Sequence, residues 1–351
     1  MLFRSALLLG YGATLLACLA FLGFYIQVLL PPLGLPELPV LSFLLGAVAC
    51  WSLARRDVHV STTTMLITET ISALIVLGLC ALVLRQGGAA ADLRAISPVG
   101  DTATQVRAGL MIAVLSFIGF ESAANLGAEA LEPERSVPQA LRTAVLVAGV
   151  LFLVWAVVLT EGLSWLPAAA RQGLDPISTL ADQLGRPGAG AWIRIGAFLC
   201  LFGSALGCLT ALTRVTYQLA QERVLPASLQ ALHPRWRTPA MALNASFWPL
   251  VVLGLALLHH RFSASRIYDL LGGFGVLAFL LVYGLVAVAA LWRPLQGVEC
   301  RRRRAVAGAA LVAVAAVGVG YGSSLWNGQA PLLLSFAALL AVGAALVLRR
   351  R

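Results

Sequence analysis

Two carboxylates stand where carboxylates are costly. Glu121 lies in LSFIGFESAANLGAEALEPERSVP, residues 115–138, and Glu69 lies in LITETISAL, residues 66–74; both interrupt apolar runs long enough to be membrane spans. A charged side chain at the bilayer centre costs about 2.5–3.5 kcal/mol on insertion scales, so such a group faces a cavity or a polar partner. Glu121 is therefore expected to point inward. The chain around it is weak as a helix: Gly119 has no side chain, Phe117 and Phe120 are moderate helix formers, and Ser116 and Ser122 can bond to backbone. A helix broken there would offer main-chain carbonyls and amides to the charged end of a small solute. An interhelical hydrogen bond in an unbroken helix accounts for Glu121 equally well from physics alone.

Other reactive residue types lack the company that catalysis or metal binding needs. His59, His233, His259 and His260 fall in loops or at span ends with no carboxylate or cysteine at ligand spacing, and the pair His259-His260 reads as a solvated helix end. Five of the six cysteines, Cys18, Cys50, Cys80, Cys200 and Cys208, lie in apolar runs, where they act as small packing residues. A polytopic transferase would need clustered acids at one membrane face to hold metal and phosphate, and no paired aspartates occur. The expectation is no catalytic residue, no metal, no cofactor and no enzymatic activity.

The elements that must position these groups are membrane helices. Of 351 residues, 60% are hydrophobic and 11% charged, far from the roughly 25% charged residues of a soluble domain. Ten spans are expected, at 5–30, 38–54, 63–84, 107–130, 142–166, 190–213, 240–259, 266–292, 304–324 and 331–348, each near the ~20 residues that cross a bilayer core. The fold class is all-α, a ten-span bundle in the lipid bilayer. The formal charge of +10 comes from arginine alone, there being no lysine, and 17 of the 25 arginines fall on the side of the two termini and the even-numbered loops. That side is expected to be cytoplasmic. Arginines spread over loops argue against nucleic-acid binding, which would gather them on a soluble domain. Arg301 to Arg304 read as a topological anchor. Trp165, Trp192, Trp292 and Trp326 fall near span ends, as headgroup-level aromatics do, and Gly203 with Gly207 at four-residue spacing would let two helices approach closely.

The chain resembles the amino acid-polyamine-organocation superfamily of permeases, in particular the amino acid permease branch. Phe117, Gly119, Phe120 and Glu121 match the family's sixth helix, F-x-G-F-E, and Glu129, Pro133, Arg135 and Pro138 match the acidic, proline-containing loop after it. RVTYQLAQERVLPASLQALHPRWRTPAMA, from Arg214 to Ala242, resembles the end of the family's eighth helix and the following cytoplasmic loop. Alignment by order equates the fourth span with the family's sixth helix. The family's first two helices, including the glycine-rich broken first helix, then have no counterpart here, and Gly10-Tyr-Gly12 does not match that run.

The resemblance implies a LeuT-like inverted-repeat transporter fold in one domain over 1–351: the last three helices of a first repeat (1–88), a second repeat (104–292) and two extra helices (304–351). It implies secondary active transport of an amino acid or related amine by alternating access, in a bacterial inner membrane with both termini cytoplasmic. Substrate-binding residues would be Ser116, Phe117, Ile118, Gly119, Phe120 and Glu121, the backbone receiving the ammonium and the two phenylalanines forming a wall. Candidates for coupling to H+ or Na+ are Glu69, Ser204 and Thr210; for Glu69 a structural polar contact is the stronger reading. The alternative function is an N-terminally truncated, transport-inactive remnant or a regulatory membrane partner.

Overall fold

The computed structural model describes residues 2–30, 38–87, 132–171, 175–184, 188–292 and 304–320, together with residues 109, 113, 116–122, 127 and 173. Helices α1 (Leu2–Leu29), α2 (Pro39–Ala54), α3 (Val58–Gly87) and α4 (Pro133–Ser164) come first. Two short helices, α5 (Ala168–Arg171) and α6 (Pro176–Gln183), precede α7 (Ala189–Gln221), α8 (Ala240–His259), α9 (Ala264–Trp292) and α10 (Arg304–Gly320). No strand occurs among the described residues. By length and composition α1, α3, α4, α7, α8 and α9 can each cross a membrane, while α2 and α10 are shorter apolar helices. The expected fourth span lies largely, and the tenth wholly, outside the described residues.

Sequence features set the helix ends. Pro39, Pro133 and Pro176 open α2, α4 and α6, positions where a missing N–H costs nothing. Asp175 caps α6, its carboxylate accepting the Ser178 N–H at 3.4 Å. At the far end of α7, Arg223 takes a left-handed φ of 58° and the Val224 N–H reaches back to the Leu219 carbonyl at 2.9 Å. Arg261 does the same for α8, with φ 62° and the Phe262 N–H on the Leu257 carbonyl at 3.1 Å. These are helix-ending turns usually given to glycine. Two ends differ from expectation. Helix α4 starts at Pro133, so part of the charged stretch expected as a loop is its first turns, with Pro138 inside the helix. Helix α7 runs on to Gln221 because nothing between Arg214 and Gln221 breaks a helix.

Helix α1 is the central post: 72% of its most apolar stretch is buried, against 6% for α4. It runs antiparallel to α9, since a side chain on Gly10 would touch Phe279, one on Gly275 would touch Thr14, and Phe21 meets Tyr268 at 4.9 Å. Close approach on its other side depends on Gly23, where a Cβ would stand 3.0 Å from the main chain of Phe43 in α2. Tyr11, Leu15, Leu16, Leu19, Leu22, Phe43, Leu209, Leu212, Phe247 and Phe279 form the main core. The small-residue stripe expected on Gly203 and Gly207 is the seam between α7 and α3: Gly196 faces Ile75, Gly203 faces Thr68 and Glu69, and Gly207 faces Met65.

Candidate functional site

Residues 116–122 supply the site's main chain. Ser116 and Phe117 are helical, residues 118–121 form a turn, and Ser122 is helical again. At the break Gly119 has φ 116°, a value that a side chain makes costly. The turn is closed by the Ser122 N–H donating to the Gly119 carbonyl at 3.0 Å. Among the described residues, no atom of a neighbouring element lies within 4 Å of where a Gly119 side chain would start.

Glu121 holds this turn in place. Its Oε2 accepts the Gly119 N–H at 3.0 Å and the Tyr283 hydroxyl at 2.8 Å, while Oε1 accepts the Tyr11 hydroxyl at 3.0 Å. One donor comes from the turn itself, one from α1 and one from α9. The inward orientation expected of Glu121 is what the geometry has, and both of its oxygens are engaged. Three donors offset much of the cost of taking a carboxylate out of water. Around it, Phe120 meets the Tyr283 ring at 5.9 Å, Phe117 sits edge-on to Phe152 of α4 at 5.3 Å, and Ile118 packs on the main core. Ser116 is exposed.

The coupling candidates divide. Glu69 and Ser204 come together across the α3–α7 seam, the Ser204 hydroxyl donating to Glu69 Oε1 at 3.4 Å, and the absence of a side chain on Gly203 is what admits the carboxylate. Thr210 does not join them. Six residues further along α7 it is displaced by about 9 Å and turned by about 120°, and it lines a small cavity with Arg56, Ser61, Thr213, Arg214 and Thr238. Its hydroxyl is buried without a hydrogen-bond partner among the described residues. A larger cavity of about 720 Å³ between α1, α7, α8 and α9 is lined almost wholly by apolar side chains such as Leu16, Leu250 and Phe274, away from Glu121.

Sequence reasoning missed Tyr11 and Tyr283. The available signal was a phenol inside an apolar span, since a buried tyrosine hydroxyl needs a partner. Nothing local to either residue pointed to Glu121, from which they are separated by 110 and 162 positions.

The chain matches the amino acid permease family over residues 10–345. It is similar to the low-affinity putrescine importer PlaP of Escherichia coli, 24% identical over 269 residues, which is 73% of this chain and 57% of that protein. Branched-chain amino acid permease BcaP of Bacillus subtilis is 28% identical over 128 residues, 36% of this chain and 27% of the relative. A Mycobacterium tuberculosis transporter is 29% identical over 181 residues, 50% of this chain and 40% of the relative. The matched segments thus span between about a quarter and somewhat over half of these relatives' own lengths. With a match that takes in nearly all of its residues, the chain belongs to the amino acid permease family.

Proposed function

We propose that the protein is a secondary transporter of an amino acid or related amine, working by alternating access in a bacterial inner membrane with both termini cytoplasmic. The carrying observation is the interrupted helix at Gly119, braced by Glu121 between Tyr11 and Tyr283. In this reading the carbonyls of Ser116 to Phe120 take the substrate ammonium, and Phe117 and Phe120 wall the space beside it. Glu121 keeps the turn open and joins it to α1 and α9, so movement of either helix is transmitted to the solute. The Glu69–Ser204 pair is the proposed proton-coupling point. Amino acid and putrescine transport by relatives supports a solute carrying an amine.

The test is uptake by the full chain reconstituted in proteoliposomes, with a panel of amino acids and diamines under an imposed proton gradient. At least one solute should accumulate, and Glu121→Gln should lower its uptake by about tenfold, the scale of a charged hydrogen bond replaced by a mismatched amide. A folded, inserted protein that accumulates nothing from the panel would favour the transport-inactive remnant instead. Equal uptake by the variant would remove Glu121 from the mechanism.

A further inference from the structure

The loop between α7 and α8 lies on the face that the arginine count assigns to the cytoplasm, and it is fastened to the end of α2. His233 organises the fastening. Its N–H donates to the Thr238 carbonyl at 2.7 Å and its carbonyl accepts the Arg237 N–H at 3.0 Å, with Arg237 at φ 55°. The imidazole Nδ1 accepts two further main-chain donors, the N–H of Arg235 at 3.2 Å and of Trp236 at 3.4 Å. The ring stacks on Trp236 at 4.4 Å with 23° between planes.

Trp236 carries the fastening to α2. The Arg55 guanidinium lies 5.2 Å from the Trp236 ring and 4.8 Å from that of Trp51, whose Nε1 donates to Asn244 of α8 at 2.8 Å. The Thr238 hydroxyl donates to the Arg55 carbonyl at 2.9 Å. Stack and hydrogen bonds together hold the α7–α8 loop, the α2–α3 turn and the start of α8 as one piece.

A main-chain N–H can only donate, so Nδ1 must be unprotonated for this geometry to exist. Protonated imidazole is a donor at both nitrogens. Histidine takes up that proton within the range pH 5–8, where other ordinary side chains do not. The charged and titratable groups on the elements around it are Arg55, Arg56, Asp57 and His59 at the α2–α3 turn, Arg214, Glu222 and Arg223 towards the end of α7, and Arg235 and Arg237 in its own loop. A proton on Nδ1 would therefore remove both of the acceptor contacts to Arg235 and Trp236.

We propose that His233 is a proton-released fastener: neutral, it clamps the α7–α8 loop on the end of α2; protonated at Nδ1, it frees the loop. This makes the freedom of that face depend on the proton concentration it meets, independently of whether the Gly119 turn binds an amine.

The test uses the full chain in lipid nanodiscs. Nitrogen-15 spectra of labelled histidine, with the His233 signal assigned through His233→Asn and His233→Gln, should have the proton on Nε2 and none on Nδ1 at pH 8. Tryptic cleavage after Arg235, normalised to a free peptide of residues 231–240 in the same tube, should rise about tenfold between pH 8 and pH 5.5. His233→Asn, whose side-chain oxygen can accept but cannot take up a proton, should hold the ratio flat. A proton on Nδ1 at pH 8, a ratio unaffected by pH in the unmodified chain, or the same rise in His233→Asn would each overturn the proposal. Either variant alone suffices to assign the nitrogen signal, and a cleavage ratio of the unmodified chain that ignores pH overturns the proposal even where both variants fail to fold.

Discussion

Glu121 takes three donors, and removing any one has a calculable consequence. A hydrogen bond to a charged group contributes about 1.5–3 kcal/mol, so Tyr283→Phe should lower the thermal midpoint of the purified protein while leaving insertion intact. An unchanged midpoint would mean that the 2.8 Å contact contributes nothing. Gly119→Ala separates conformation from space: among the described residues nothing crowds the position, yet φ 116° is costly with a side chain. Strain of that kind costs on the order of 1–3 kcal/mol, and a matching loss of stability, followed by chemical denaturation, is expected. At this scale the sequence made the carboxylate and the weak helix legible, because insertion cost and helix propensity are local properties. Tyr11 and Tyr283 were not legible, because their role is a meeting of three distant segments.

Helix pairs respond differently to a single methyl group according to what it would meet. A side chain on Gly23 would lie 3.0 Å from the Phe43 Cα and 3.1 Å from its nitrogen, so main chain would have to move. Gly23→Ala should therefore destabilise by about 1–3 kcal/mol, the usual cost of overpacking. Gly78, within α3, meets nothing within 4 Å among the described residues, and Gly78→Ala should stabilise slightly, by about 0.5–1 kcal/mol from helix propensity alone. Thermal melts of both variants in the same detergent check the contrast; equal effects would contradict the α1–α2 contact. Most helix positions could be read from apolar length, and Gly203 with Gly207 announced a close seam. Which helix occupied that seam could not be read, since small residues admit any partner. The extension of α4 to Pro133 was hidden by charges that look like loop and are in fact the first turns of a helix outside the apolar stretch.

Over the whole molecule, the proposed orientation rests on the arginines. Arg235, exposed in the α7–α8 loop, should be cytoplasmic, so a cysteine in its place should react with a membrane-impermeant maleimide in opened cells and stay unlabelled in intact ones; the reverse pattern would invert the molecule. Membrane class and permease family were legible because hydropathy and two motif stretches extend over much of the chain. Substrate choice was not, because it depends on the shape of a space walled by several helices at once. The central claim is that the helical ladder is interrupted at Gly119 and that the opened main chain holds an amine, and hydrogen–deuterium exchange of residues 116–122 in nanodiscs tests it most directly. Exchange in this segment should be far faster than in the buried middle of α7, and slowed by at least one amino acid or diamine of the uptake panel. Exchange as slow as in α7, or fast exchange that no such solute alters, would contradict it.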